Sequence, residues 1–345
     1  MGTIGDRRRV LGSMLMLLGG CGGSGLASPP ALEPSPVADS EPLVAPNALG
    51  PAPTSGEPYF SGVDALAVVE RLMQWPRGLG DPRRERSIDA LERMLVEAGA
   101  ESVQRQPLRA SDPATGDEYA LVNLIGHLRP RAQRRFVLAT HFDTRPWADE
   151  DPDPAAHQQP VPGANDGTSG VAVLLVLMPL LAEALPPDVG ITVILFDGEE
   201  LGRPGQGGYC MGSRYFADQA RQQPPPWLRH AELGIVLDMV GDRDLSLPQE
   251  PLSRGHAPEL VDRIWAVGRR RGHPQFEEQA RAGGIIDDHV LLTEAGVPSV
   301  LIIDKEYGPW HTRQDTLSQL SAQSLAAVGD TVLYTVLELA AEPAP

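Results

Sequence analysis

Between Tyr119 and Leu339 the chain alternates short apolar runs with longer stretches of helical periodicity. The runs are Tyr119–Leu124, Phe136–Thr140, Ile191–Phe196, Gly234–Leu237 and Val300–Ile303, and the helical stretches are Gly170–Ala184, Pro258–Arg270 and Gln319–Leu339. Apolar runs bounded by helices suit strands buried on both faces, because a parallel neighbour is reached only through a crossover helix. The predicted fold is therefore α/β, a single-domain, mostly parallel mixed sheet sandwiched by helices. Two further helices are expected ahead of it, at Val63–Gln74 and Ser87–Ala98, separated by Gly78 and Gly80. No internal repeat is visible.

In such a sheet, function gathers at the carboxyl ends of the strands. There the sequence places a polar cluster each time. His141 and Asp143 follow the second run, Asp166 lies in GANDG ahead of the next helix, and Asp197, Glu199 and Glu200 follow the third run. Asp238 closes the fourth, and Asp287, Asp288 and His289, then Trp310 and His311, come later. Taken singly, each has an ordinary explanation. GANDG is a good turn and helix start, Glu199 and Glu200 fit a solvated loop, His289 fits a hydrogen-bonding residue, and Asp287 with Asp288 fits a helix cap. Taken together, Asp166, Glu200 and His311 supply the three His and carboxylate ligands of a catalytic zinc site with one open position. Glu199 would face that position as general base and acid.

The start of the chain is of another kind. Arg7, Arg8 and Arg9 precede the apolar run VLGSMLMLLGG and then Cys21, the layout of an export signal. That run is too short to span a membrane as a mature helix. Leu18 to Cys21 resembles a lipoprotein signal box, with an ordinary cleaved signal as the alternative, and the paired arginines loosely resemble a twin-arginine signal. The expected organisation is a lipoprotein-type signal over residues 1–21, a Pro- and Ala-rich tether over 22–56 without periodicity, and a zinc-dependent catalytic domain over 57–345. The mature chain is expected to be exported and lipid-anchored to the cell envelope through Cys21, on the periplasmic or outer surface. Cys210 is the only other cysteine, so lipidation of Cys21 would leave no disulfide pair and stability would rest on core and metal.

A formal net charge of −17 with no basic stripe argues against nucleic acid as a partner. Arg269, Arg270 and Arg271 read as charges at a helix end. A monomer is expected.

The strings HFD, GANDGTSG, FDGEE, LDMVGD and WHT, in this order, resemble the zinc aminopeptidase fold shared by peptidases and glutaminyl cyclases. The resemblance covers roughly Val63 to Leu339. Within that group, HFDTRPWADEDPDPAAHQQPVPGANDGTSG, YCMGSRYF, IIDDH and EYGPWHTRQDT look like bacterial glutaminyl cyclases (glutaminyl-peptide cyclotransferases) related to the animal enzyme. Carried over by position, the resemblance implies Asp166, Glu200 and His311 as ligands of a single Zn2+ and Glu199 as proton shuttle. It further implies Asp238 and Asp287 as a supporting, hydrogen-bonded carboxylate pair, and Trp310 as a wall of the substrate pocket. Peptides and proteins with N-terminal glutamine would be the substrates. True aminopeptidases share GANDGTSG, and His141, Asp166, Glu200, Asp238 and His311 match all five ligand positions of their two-zinc site, with His141 and Asp238 holding the second ion. A second departure is that bacterial cyclases often carry Glu-Asp where this chain has Glu199 and Glu200.

Overall fold

The computed structural model describes residues 56–280 and 283–343. The expected signal over 1–21, Cys21, and all of the expected tether except Gly56 lie outside the described residues. Helices α1 (Gly62–Leu72) and α2 (Arg84–Glu97) precede strands β1 (Ser102–Ser111), β2 (Glu118–Leu128) and β3 (Arg134–His141). Then come α3 (Ser169–Ala184), β4 (Val189–Phe196), α4 (Met211–Gln222) and β5 (Ala231–Asp238). The remainder is β6 (Leu247–Gln249), α5 (Pro251–His256), α6 (Pro258–Arg270), β7 (Phe276–Ala280), α7 (Asp288–Glu294), β8 (Ser299–Ile303) and α8 (Ala322–Ala341).

Six strands form one sheet in the order β1-β2-β4-β3-β5-β8, while β6 and β7 pair separately. The pairs β4/β3, β3/β5 and β5/β8 are parallel, and β1 and β2 add an antiparallel edge. This is the mostly parallel mixed sheet expected. Its parallel strands carry continuous apolar runs because both faces are covered. Leu138, Val193, Leu195 and Leu237 pack with residues of α1, α3 and α8, while the alternating Val137, Ile194, Phe196 and Val236 pack against Phe216 of α4 and Leu292 of α7. Helix α3 is apolar all round and buried from Ser169 through Met178, as a helix between sheet and outer helices must be.

Three differences from the expected elements have local causes. The helix expected from Gln319 begins at Ala322, where Ser321 accepts a hydrogen bond from Ser324 N as N-cap. Strand β1 carries too few apolar residues to be recognised. It is an edge strand, and its Arg105 reaches Glu85, Asp89 and Glu92 instead of a core. Helix α4 follows a glycine-rich loop, and its N-cap Cys210 has a left-handed backbone, φ 56°, that turns the chain into it.

The chain leaves β3 through α3 to reach β4 on one side, then returns through α4 to β5 on the other. This reversal opens a crevice at the carboxyl end of β3, where open α/β sheets bind ligands. His141 ends β3, Glu199 and Glu200 follow β4, and Asp238 ends β5. Topology thus gathers side chains far apart in sequence. Asp197 belongs to the frame instead: it is fully buried, accepts from Val122 N at 2.7 Å and pairs with Arg84.

Candidate active site

Two clusters of potential ligands share one carboxylate. Asp166, Glu200 and His311 form the first, with His311 Nε2 at 3.2 Å from Glu200 Oε2 and 3.8 Å from Asp166 Oδ2. His141, Asp166 and Asp238 form the second, with His141 Nε2 at 3.2 Å from Asp166 Oδ1 and 3.1 Å from Asp238 Oδ1. All five side chains are buried. Asp166 Oδ2 has no hydrogen-bond partner although it is shut away from solvent. An orphaned anionic oxygen beside a second carboxylate and an imidazole is costly unless a cation sits among them. Ligand atoms about 2.0–2.2 Å from a zinc ion lie slightly more than 3 Å from one another, so the first cluster fits zinc in donor type and spacing.

Each candidate ligand is held by neighbours. The GANDG loop is tied to the His311 segment through Asp315, which accepts from Asn165 N at 2.8 Å and Asp166 N at 3.1 Å and receives Tyr307 Oη at 2.7 Å. Arg145 donates to Glu200 Oε2 at 3.2 Å and makes a two-point pair with Asp149, whose carboxylate stands 3.6 Å from His311 Nδ1. One Arg–Asp pair therefore steadies two candidate ligands, as outer-shell partners do in metal sites. Trp310 stacks on His311 with centroids 3.7 Å apart, fixing the imidazole plane. His311 and Met239 both adopt left-handed backbone, φ 55° and 48°, a strain that persists where surrounding structure enforces it.

Asp143 organises the acidic turn after β4. Its two oxygens accept from Glu199 N and Glu200 N, each at 3.1 Å. That turn passes through Gly198, at φ 71°. Asp143 is itself fixed by Gly167, at φ 82°, where a Cβ would come within 2.1 Å of the Asp143 carbonyl oxygen. Gly167→Ala should cost about 3 kcal/mol from overpacking and left-handed strain combined. Chemical denaturation checks this, and a loss under 1 kcal/mol, about the scatter of a surface change, would show that the loop relaxes freely.

Asp166, Glu199, Glu200, Asp238 and Asp287 line a cavity of about 240 Å³ whose apolar wall includes Trp310, Met239 and Ile303. His141 is not part of its wall. Burial, then the Glu200 charge, raise Glu199 well above the ordinary carboxylate range. Burial pushes Glu200 the same way, but His311 and Arg145 override it and hold Glu200 well below that range. Adjacent carboxylates with opposed affinities for a proton are suited to a proton-transfer group beside a charged ligand. Cys210 Sγ donates to Glu199 Oε1 at 3.2 Å.

The structure brings together every site residue predicted from sequence, with two changes of detail. No hydrogen bond joins Asp238 to Asp287: Asp287 accepts from Asp288 N as N-cap of α7, and the two carboxylates meet through the field that, after burial, raises Asp287 to about 6. Trp310 does line the cavity, but one face is spent on His311. His289 is buried 3.2 Å from Glu250, away from the cavity wall, and Asp288 receives Ser213 Oγ. The supporting Arg145, Asp149 and Asp315 escaped sequence reading because only the fold pairs them.

Beyond β8, burial pushes Asp304 up to about 6 from an ordinary 3.8. The fold binds this proton more tightly than the unfolded chain, so the stability from it is fully present below 3.8 and lost as pH rises through about 6. Asp304→Asn should therefore flatten part of the fall in urea stability between about pH 4 and 6, and an unchanged slope would contradict it.

The model of peptidase family M28 matches residues 123–336. Aminopeptidase YwaD of Bacillus subtilis is 28% identical over 229 residues, covering 63% of this chain and 44% of that protein. The glutaminyl-peptide cyclotransferase of Gloydius blomhoffii is 26% identical over 243 residues, covering 63% and 65%. The match thus spans less than two thirds of either curated relative. The crystal structure of Porphyromonas gingivalis glutaminyl cyclase superposes with TM-score 0.75 and 33% identity, covering 81% of this chain and 99% of that one. Relatives of both kinds point to an enzyme of the zinc exopeptidase superfamily, and the chain belongs to peptidase family M28.

Proposed function

We propose that this chain is a glutaminyl-peptide cyclotransferase that converts the N-terminal glutamine of peptides to pyroglutamate with one zinc ion. The observation that carries the reading is the division of the two ligand clusters. Asp166, Glu200 and His311 all open onto the cavity beside Glu199, whereas in the second cluster Asp166 and Asp238 line it and His141 does not. One exposed metal position and one adjacent carboxylate suffice for cyclisation, because the substrate supplies its own nucleophile.

Zinc held by Asp166, Glu200 and His311 would supply Lewis-acid polarisation of the γ-carboxamide carbonyl. Glu199 takes a proton from the α-amine as its nitrogen forms a bond to the γ-carboxamide carbon. It then returns that proton to the amide nitrogen, which leaves as ammonia when the old C–N bond breaks. Asp238 and Asp287 supply negative charge for the incoming amine end. Trp310, Met239 and Ile303 exclude water and hold the glutamine side chain folded for ring closure.

A two-zinc aminopeptidase is favoured by a different observation: Asp166 belongs to both clusters, as a ligand bridging two ions would. Metal analysis of the purified chain tests between them. One zinc per chain at full activity is expected, and two tightly bound zinc ions required for activity would overturn the one-zinc reading. From the N-terminal sequence alone, Arg7, Arg8 and Arg9 followed by an apolar run and Cys21, we further propose that the chain is an exported lipoprotein acylated at Cys21. A Cys21→Ala chain that still partitions wholly with membranes would contradict that anchor.

A further inference from the structure

Lys305 is the only lysine among 345 residues; every other basic side chain apart from histidine is arginine. It lies two residues beyond β8, on a turn fixed by Asp304, whose oxygens accept from Ser246 N and Glu306 N at 3.0 Å each. The side chain is half-buried and lines the same cavity as Glu199 and His311. Its ammonium rests over Trp310, 3.6 Å from the ring centroid, and pairs with no carboxylate among the described residues. The His311 ring occupies a face of Trp310 at 3.7 Å, so the ammonium lies on the opposite face, turned away from the ligand.

The cavity is therefore electrically lopsided. Five carboxylates crowd its metal end, suited to an incoming amine, while the one permanent cation among its described lining residues stands on the other side of the indole. Although the chain carries a net charge of −17, this ammonium meets an aromatic face and no carboxylate among the described residues. An indole face holds an ammonium weakly and without directional bonds, and a lysine is a flexible point charge, so it can swing to a stronger partner. Beside it Ile286, 70% exposed, offers an apolar rim for the residues that follow the reacting one.

We propose that Lys305 determines substrate specificity by pairing with a carboxylate on the peptide beyond its reacting N-terminal residue. The carboxylate belongs either to an acidic side chain near the N-terminus or to the C-terminal end of a short peptide. The proposal rests on the cavity being the substrate pocket, and not on which of the two reactions takes place there.

The zinc-loaded enzyme, as wild type and as Lys305→Gln, Lys305→Arg and Lys305→Glu, is assayed on matched glutamine-initiated peptides. These carry Glu, Ala or Lys at the second position as C-terminal amides, with the Ala dipeptide also supplied as the free acid. Wild type should prefer a carboxylate-bearing peptide over the Lys amide by about tenfold in kcat/KM, mainly through KM and less at high salt. Preference for the Glu amide identifies the side-chain source; preference for the free acid over its amide identifies the terminal one. Lys305→Gln should bring the ratio to near unity, Lys305→Arg should keep it, and Lys305→Glu should invert it. A ratio unmoved by charge reversal, or no preference in wild type, overturns the proposal, because a merely structural lysine would change all peptides alike. If free glutamine is released instead of ammonia, the cyclase reading fails while the same ratio still decides this one.

Discussion

Glu199→Gln should lower kcat by roughly 10²- to 10⁴-fold, the range supplied by a positioned general acid–base group. The substitution keeps size and shape but removes the ability to accept and return a proton. Two structural facts make the loss specific. The Glu199 backbone is pinned through Asp143, and its Oε1 receives the Cys210 thiol, so an amide there is held in nearly the same place. The affinity of Glu199 for a proton is raised by burial and by Glu200, which matches the shuttle to an amine that must give up a proton and an amide nitrogen that must gain one. Zinc content and thermal midpoint should stay at wild-type values. Turnover within tenfold of wild type would remove Glu199 from the mechanism.

Asp166→Asn should have the second large effect, on metal and stability together. Asp166 is common to both ligand clusters, and its Oδ2 has no protein partner to fall back on. Loss of a supporting residue typically costs about 10- to 100-fold in metal affinity or activity. Loss of this ligand should exceed that, whereas Asp149→Ala, which disturbs Arg145 and the His311 side only indirectly, should stay within it. The matching stability experiment is a thermal melt with and without chelator. An ion bound at 1,000 times its dissociation constant stabilises the fold by about 4 kcal/mol, so wild type should lose several degrees on chelation and regain them with zinc. Asp166→Asn should respond to neither treatment; a wild-type zinc response in that variant would show that the cluster is not the metal site.

How much of this was legible in sequence follows from where each residue finds its partners. Strands β3, β4, β5 and β8 declare themselves because their central runs, residues 136–139, 193–196, 234–237 and 300–303, are apolar and buried on both faces. Strand β1 does not, because it is mostly polar and its Arg105 is satisfied by α2. The candidate ligands were visible because acids and histidines at the ends of apolar strands have few uses that are not costly. The set that steadies them was not. Arg145 and Asp149 lie four residues apart yet matter through Glu200 and His311, and Asp315 matters through the backbone of Asn165 and Asp166. Asp287 shows how two local explanations can both hold, since it caps α7 and lines the cavity at once. Lys305 was countable from the start, but nothing in a single lysine said where it would stand.

The most direct measurement is to incubate the zinc-loaded chain with a glutamine-initiated peptide and follow both products by mass spectrometry and an ammonia assay. Loss of one ammonia per peptide, with every residue retained and a blocked N-terminus, is the result expected of a single exposed metal beside Glu199. Release of free glutamine with a peptide one residue shorter would contradict it and assign the site to hydrolysis.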